Sequence, residues 1–384
     1  MRNITAGLDV GTQTTRVVVC EKVQGEQNPR VIGLGSSPTR GMRHGYVVNQ
    51  AHVSASVLRA LKDAEKNSGV SIKRVTLGVG GVTLSCETSS GAAIISKADN
   101  EVTHLDVEKA MLESEEELTL ANKKIVDNHP IGFRIDGKPV LGSPIGMKGI
   151  KLEVKTLFNT SLAQHLDLLI GAVSEAGVDI IDIVPSIVAA GVVHLGEKQK
   201  TAGCALVNIG SETTSLVVYE DNQPVTLAVF PIGGNDITND IALGLKIPLE
   251  EAESIKTGSI MSNFPKRKLD DILEARLGDM FELIDTHLKK IRRNGLLPAG
   301  AIFIGGSSQF TNLEEGARLS LKLPARLGID PLVEISKGKI RDSVWSNAFG
   351  LAIIQKESSM AGSGGGAIAN LKKFFRILGK QLLP

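Results

Sequence analysis

The sequence predicts an α/β protein of two related domains, with a small α+β insertion in the first domain and an amphipathic helix at the C-terminal end. Three observations predict this arrangement. A strand–turn–strand pattern occurs twice, the composition changes between about residues 84 and 160, and a run rich in Gly and Ser precedes a basic, apolar tail. Because 384 residues exceed the size at which one core stops growing, at least two domains are expected.

The repeated pattern covers residues 6–21 and 205–220, at a constant offset of 199 positions. A glycine beside small hydroxyl residues, between two β-branched runs, suits a hairpin that encloses a phosphate with its backbone and hydroxyl groups. One copy alone is more commonly explained as an ordinary hairpin turn. Two copies fit two domains that hold one phosphate chain from opposite sides, as in the actin-like ATPases. The matched pairs are Asp9 with Asn208, Gly11 with Gly210, Thr12 with Ser211, Gln13 with Glu212 and Thr14 with Thr213.

The first position of each hairpin differs in charge. Asp9 is suited to ordering water around a nucleotide-bound Mg²⁺ ion, because Mg²⁺ takes oxygen ligands and keeps several waters. Asn208 can orient water but has no charge to attract the metal or to act as a base. We therefore expect ATP binding with at most slow hydrolysis. The candidate catalytic residues are Asp9, Gln13, Asn208 and Glu212.

Two further glycine segments are candidates for contacts with a nucleotide. Gly234 and Asn235 open a predicted helix, whose N-terminal amides can face a ribose or phosphate. Gly305, Gly306 and Ser307 follow a buried strand, where the backbone can approach a flat ring such as adenine. A Gly-capped helix start and a plain strand-to-helix turn are the structural alternatives. Because both glycine segments occur together with the paired hairpins, we favour the nucleotide interpretation.

The remaining elements follow from apolar periodicity and from Gly and Pro. In the first half we expect a helix ending near Ser68 and a strand over Arg74–Val79. We expect His44 to lie in a solvated loop between an earlier strand near residues 30–34 and that helix. Ser161 is predicted to cap a helix that ends at Gly177. The other predicted helices cover about residues 105–122, 186–195, 269–293 and 343–355.

Composition excludes several classes of function. The formal net charge is +1, so no general attraction to nucleic acid is expected. Cys20, Cys86 and Cys204 lack metal-site spacing and are predicted to be buried free thiols, which suits a reducing cytoplasm. We expect no signal peptide, and no apolar run approaches the length that spans a bilayer.

The tail has the pattern of a membrane-surface helix. Residues 358–366 are predicted to be a flexible linker and residues 367–384 a helix with apolar and basic faces. Docking on its own domain or on a partner is the alternative, but the absence of acidic residues after Glu357 favours an anionic membrane. The apolar face contains Ile368, Leu371, Phe374, Phe375, Leu378 and Leu382, and the basic face Lys372, Lys373, Arg376 and Lys380.

Several motifs resemble the FtsA family of bacterial cell-division proteins, actin homologues that attach filaments of the tubulin homologue FtsZ to the inner membrane. The motifs are Arg40-Gly41-Met42 with Gly45, residues 143–150 (Ser-Pro-Ile-Gly-Met-Lys-Gly-Ile), Gly305-Gly306, and the linker with its basic tail. The resemblance covers essentially the whole chain. It implies an actin-like, ribonuclease H-like fold that binds ATP and Mg²⁺.

The same resemblance implies roles for individual residues. Glu274-Ala275-Arg276 matches the Glu-x-Arg of the helix that receives the acidic FtsZ C-terminal tail, with Arg276 as the leading docking residue. It also implies filament formation, contacts with other divisome proteins, and a peripheral position on the cytoplasmic face of the membrane at the division septum. The first phosphate loop would be Asp9, Gly11, Thr12 and Gln13, the second Gly210, Ser211, Glu212 and Thr213, the connecting segment Gly234 and Asn235, and the adenosine motif Gly305, Gly306 and Ser307.

The predicted domain boundaries follow the repeat and the insertion. The first domain covers residues 1–83, 161–198 and 333–357, the insertion 84–160, and the second domain 199–332, with a helical part at about 234–300. A PilM-like pilus assembly ATPase would share this fold but usually lacks the tail. A small-molecule kinase of the superfamily would need a substrate base in the cleft, and a DnaK-type chaperone would need a further domain.

Overall fold

The computed structural model describes residues 3–23, 25–26, 28–260, 264–310, 312–328 and 330–360. Its strands and helices are interspersed along the chain, as expected for an α/β protein. The strands of the first half are β1 (Asn3–Val10), β2 (Thr14–Lys22), β3 (Arg30–Pro38), β4 (Met42–Arg43), β5 (Tyr46–Val47), β6 (Arg74–Val79), β7 (Ser85–Ile94), β8 (Lys123–Ile135), β9 (Lys138–Val140), β10 (Lys151–Leu162) and β11 (Asp179–Pro185). Those of the second half are β12 (Cys204–Ile209), β13 (Thr214–Glu220), β14 (Gln223–Phe230), β15 (Ala301–Ile304) and β16 (Ala325–Leu327).

The helices cover the faces of these sheets. In the first half they are α1 (Gln50–Ser68), α2 (His104–Glu116), α3 (Ala163–Glu175), α4 (Ser186–His194) and α5 (Glu197–Ala202). In the second half they are α6 (Gly234–Leu245), α7 (Leu249–Lys256), α8 (Lys266–Lys290), α9 (Leu313–Leu321), α10 (Asp330–Ile335) and α11 (Ser346–Met360), which follows a 3₁₀ turn at Ser343–Trp345.

Two five-stranded sheets share one topology. Their orders are β3-β2-β1-β6-β11 and β14-β13-β12-β15-β16, with the first three strands antiparallel and the last two parallel to the central strand. The hairpin register is also the same, since Val10 pairs with Thr15 and Ile209 with Thr214. This confirms the predicted duplication and the actin-like fold class. We call the β1-containing sheet with α1, α3, α4 and α11 the first lobe, and the β12-containing sheet with α6–α9 the second lobe.

The insertion between β6 and α3 forms its own sheet, in the order β7-β10-β8-β9, with α2 packed on β7. A separate apolar cluster fills the space below α2, as expected for an α+β unit. The fully buried members of the cluster include Val102, Ala110, Leu152 and Val154. We propose the domain boundaries predicted above. The distribution of the strands among separate sheets supports them.

Most predicted elements of the first lobe are confirmed. The side chain of Asn49 caps α1 by accepting a hydrogen bond from His52 N, and Gly69 ends the helix with a left-handed φ of 69°. β6 has the predicted bounds. The predicted cap at Ser161 is wrong, because Ser161 is buried in β10, where its hydroxyl contacts that of Thr83 at 3.1 Å. α3 begins two residues later, at Ala163.

The second lobe has an apolar core of its own, while the core of the first lobe extends into β12, β13 and β15. In the second lobe, α8 buries one face of five residues against β12, β15 and α9, while Ile272 and Leu273 are only partly buried. α11 packs on α4 and β1 in the first lobe. Its described backbone continues to Met360, past the predicted helix end. The buried residues of the α8 face are Leu277, Met280, Phe281, Ile284 and Leu288.

Cys86 joins the insertion to the second lobe. Its Sγ lies 3.2 Å from both the backbone N and the backbone O of Leu227, and 3.5 Å from Thr226 Oγ1. β7 and β14, which carry these residues, are edge strands of their sheets. Cys86 is therefore only partly buried but is engaged by β14, whereas Cys20 and Cys204 are fully buried thiols, as predicted.

The tail prediction falls on residues outside the described ranges. Residues 361–384 contain most of the predicted linker and all of the predicted membrane helix. Within the part of the chain that the structure describes, no helix combines the length and the apolar character needed to cross a bilayer.

Two buried histidines make stability depend on pH. Burial lowers the pKa of His165 and of His194 to about 4, and both rings are almost fully excluded from solvent. An unfolded histidine takes up a proton near pH 6.5, so between pH 6.5 and pH 4 the unfolded chain binds more protons than the folded one. The free energy of unfolding should therefore fall as the pH is lowered through this range, by up to about 3 kcal/mol per histidine.

Denaturant unfolding at several pH values checks this prediction. The free energy of unfolding of each protein is referred to its own value at neutral pH. On this scale the His194→Gln variant should lose less stability between pH 6.5 and pH 4 than the parent protein. The matched control is His104→Gln, because His104 is exposed. A parent-like slope in the His194→Gln protein would contradict the prediction.

Candidate functional site

A cleft lies where the two lobes meet, at the carboxyl ends of their central strands. It encloses about 300 Å³ and is lined by both hairpins and by the loops that follow β6 and β15. Because β1 and β6 are parallel, as are β12 and β15, all four strands deliver their last residues to this place. The predicted site residues that line the cleft are Asp9, Gly11, Thr12, Gln13, Asn208, Gly210, Ser211, Thr213, Asn235, Gly305, Gly306 and Ser307.

The two hairpins have the same local geometry. A Cβ atom on Gly11 would lie 2.9 Å from the carbonyl oxygen of Thr14, and one on Gly210 would lie 3.0 Å from that of Thr213. Each glycine therefore lets the turn close tightly on the residue three positions later. The hairpins face one cleft from opposite lobes, which is the arrangement expected for two loops around a phosphate chain.

The carboxylate of Asp9 is buried and held at both oxygens. Its side chain is 8% exposed, Oδ1 accepts a hydrogen bond from Ser186 Oγ at 2.8 Å, and Oδ2 accepts one from Asn347 Nδ2 at 3.1 Å. Burial raises the pKa of Asp9, while the two hydrogen bonds and the charge of Arg16 oppose this increase. Burial also lowers the pKa of Arg16, which lies beside Asp9 on β2.

Asn208 reaches the same network from the second lobe. Its Nδ2 donates to Asn347 Oδ1 at 3.2 Å, so one side chain of α11 contacts the first position of both hairpins. A Cβ on Gly305 would lie 2.3 Å from Asn208 Oδ1, and Gly305 has a φ of 98°. Only glycine fits this position, because a side chain would clash and would be strained.

The segment at Gly234 packs against the loop after β15. A Cβ on Gly234 would lie 2.0 Å from Ser307 Oγ, and its amide donates to Gly210 O at 2.9 Å. Gly234 supports the cleft from behind rather than lining it. Lys256 lies beside it and binds Glu253 at 2.6 Å and Thr238 Oγ1 at 2.8 Å, which places a cation and a carboxylate in the cleft wall.

Glu212 and His44 connect the lobes outside the main cleft. His44 N donates to Glu212 Oε2 at 2.6 Å, and His44 Nδ1 lies 3.1 Å from Glu212 O. The expectation of a solvated loop histidine is wrong, because His44 is half-buried against the second hairpin. Both residues line a neighbouring cavity, together with Gln13 and Asn235.

The predicted docking residue Arg276 already has an acidic partner. Its Nε and Nη2 donate to the two oxygens of Asp240 at 2.6 and 3.0 Å, and Nη1 lies 3.2 Å from Asp279. The hydrogen bond to Asp240 is the main cause of the raised pKa of Arg276. Glu274 is exposed on the same helix and accepts from Asn312 Nδ2 at 3.4 Å.

Sequence reasoning missed several cleft residues. Ser186 follows the last strand of the first sheet, so the shared carboxyl edge of β1, β6 and β11 could have indicated it. Asn347 is a polar residue immediately before the apolar run of residues 348–354, which is only a weak signal. The other unpredicted residues of interest are Arg16, Glu253 and Lys256.

Two family models match the chain. A model described as "Cell division protein FtsA" matches residues 205–350, and one described as "SHS2 domain inserted in FTSA" matches residues 81–160. Together they match more than half of the chain. Among curated proteins, FtsA of Pseudomonas aeruginosa is 28% identical, with 93% of this chain and 92% of the relative covered. FtsA of Escherichia coli K12 is 26% identical, with 94% and 92% covered.

Solved structures show the same fold at lower identity. A chain of the "PilM-PilN type IV pilus biogenesis complex" superposes with a TM-score of 0.67 at 18% identity, covering 91% of this chain and 98% of that one. MreB5 of Spiroplasma citri, solved with AMPPNP, gives 0.51 at 13% identity, covering 93% and 97%. The relatives over most of the length and the match to the FtsA-specific insertion favour cell division over a PilM-like role. The chain is an actin-like protein that belongs to the FtsA family of cell-division proteins.

Proposed function

We propose that the protein binds ATP with Mg²⁺ in the cleft, polymerises on the cytoplasmic face of the membrane, and tethers FtsZ filaments there. The observation that carries the nucleotide part is the pair of hairpins with one register and one turn geometry, facing a single cleft from two lobes. Gly305, Gly306 and Ser307 form the side of the cleft that would receive the adenosine.

The side chains in the cleft fit a hydrated magnesium ion. Asp9 would hold it through water, because both carboxylate oxygens already accept protein hydrogen bonds and the group is nearly buried. When bound, Mg²⁺ would neutralise phosphate charge. Asn208 adds no second carboxylate and cannot take a proton, so hydrolysis should be slow.

The partner and membrane functions rest on other parts of the chain. Arg276 lies on α8 with its planar fork half-exposed beside Asp240, and a carboxylate of the FtsZ tail could compete for it. Membership of the FtsA family supports assembly with copies of itself and with other divisome proteins at the division septum. The basic amphipathic sequence of residues 367–384 supports binding to anionic lipids.

The nucleotide site is tested by filling it. Gly306 lines the cleft, and a Cβ there would lie 3.3 Å from Val344 Cγ1, so the indole of Gly306→Trp should occupy the adenosine side. ATP affinity, measured by titration with a fluorescent analogue, should fall by at least about tenfold. Gly278→Trp is the control, because a Cβ at that position meets no atom within 4 Å. Retained affinity in a folded Gly306→Trp protein would place the nucleotide elsewhere.

The docking site is tested from both sides of the Arg276–Asp240 pair. Arg276→Glu should remove the guanidinium and weaken binding of an FtsZ C-terminal peptide by on the order of tenfold or more. Asp240→Asn should weaken the hold on the fork and strengthen binding, because the peptide carboxylate then competes only with Asp279, which contacts Nη1 alone. Fluorescence anisotropy at moderate salt measures both, with unchanged ATP affinity as the control. If neither variant changes peptide affinity, the docking site lies elsewhere.

Membrane attachment is tested with the tail. Phe375→Glu places a carboxylate within the apolar face and should abolish sedimentation with anionic liposomes while leaving ATP binding intact. Lys372→Ala with Arg376→Ala should weaken binding mainly at low salt, because each cation contributes about 1 kcal/mol near an anionic surface and salt screens this attraction. Unchanged sedimentation of the Phe375→Glu protein would favour a tail that docks on protein.

A further inference from the structure

Asn347 occupies the junction of the two hairpins. It is the second residue of α11, in the first lobe, and its amide spans from Asp9 of the first hairpin to Asn208 of the second. All three side chains line the cleft. The Asn347–Asn208 hydrogen bond crosses between the lobes at the point where a phosphate chain would pass.

The chemistry of Asp9 fixes the direction of this chain of hydrogen bonds. The ionised carboxylate only accepts hydrogen bonds, and Asn347 turns its NH₂ group toward it, donating from Nδ2 to Asp9 Oδ2. Its carbonyl oxygen then faces Asn208 and can only accept, which forces Asn208 to present its own NH₂ group. The Oδ1 of Asn208 is left on the other side, against Gly305.

This order explains why the second hairpin begins with Asn rather than with Asp. An aspartate at position 208 would place a carboxylate oxygen against Asn347 Oδ1, about where the present contact measures 3.2 Å. Two acceptors would then face each other in a partly buried place, and at least one would lose its partner. The amide at position 208 is therefore matched to the amide at position 347.

We propose that Asn347 is a positioning residue that holds Asp9 and Asn208 together in one orientation and thereby aligns the two hairpins on the nucleotide. This rests on the proposed ATP binding. Asn347 itself need not touch the ligand, because its effect passes through the two hairpin residues. The role predicts that positions 208 and 347 act as a pair.

A double-mutant cycle tests the pairing. Asn347→Leu removes both hydrogen bonds with little change in size, and Asn208→Asp reverses the polarity of one of them. Each should lower the affinity for a fluorescent ATP analogue with Mg²⁺ by about tenfold. The double variant should lose little more than the worse single variant, because the same contact is removed only once.

The matched control removes the other support of Asp9. Ser186→Ala deletes the hydrogen bond to Oδ1 but leaves the contact between positions 208 and 347 intact. In the double variant Ser186→Ala with Asn208→Asp, the fold-losses of affinity seen in the two single variants should multiply, to within a factor of about 2. If the substitutions only disturbed the cleft in a general way, the 208/347 cycle and the 208/186 cycle would show the same coupling.

Thermal unfolding of the same proteins without nucleotide separates this inference from the proposed function. Coupling between positions 208 and 347 in both unfolding and affinity supports the positioning role. Coupling in unfolding alone, or in neither measurement, overturns it. A parent protein that binds no nucleotide would contradict the proposed function instead, whatever the unfolding cycle shows.

Discussion

The structure depends on keeping one carboxylate, that of Asp9, buried at the meeting point of the lobes. An ionised carboxylate in a nearly dry place is costly unless donors and opposite charge surround it. Here the donors come from α4 and α11 and the charge from β2, so separate elements of the first lobe must pack in register for the carboxylate to be satisfied. The packing of α11 on α4 and β1 is the structural counterpart of this requirement.

The second lobe repeats the scaffold without the charge. Its hairpin has the same register and the same tight glycine turn, yet its first position is an amide that donates to a neutral side chain, that of Asn347. The two hairpins thus share one backbone geometry, and only the first of them carries a carboxylate at this position. The resulting cleft is symmetric in backbone and asymmetric in electrostatics.

Much of this could be predicted from the sequence because the repeat acts as an internal alignment. The local chemistry of a tight turn is contained in a short segment. It was therefore enough to predict the hairpin residues Asp9, Gly11, Asn208 and Gly210. Asn347 could not be found in this way, since it reaches both hairpins only when α11 packs on α4 and β1 and brings its first turn to the cleft. The helix cap predicted at Ser161 is wrong for a related reason: its local sequence suits a cap, but burial beside Thr83 keeps it in a strand.

The contact made by Cys86 has a consequence for how the molecule avoids unwanted association. Edge strands offer unpaired amides and carbonyls, which template pairing with strands of other chains. The thiol contacts both main-chain groups of Leu227, as a neighbouring strand would, and brings the edge of the insertion sheet close to the edge of the second lobe's sheet. Each edge thereby hinders the approach of foreign strands to the other. A small, weakly polar side chain thus protects both strand edges at this point.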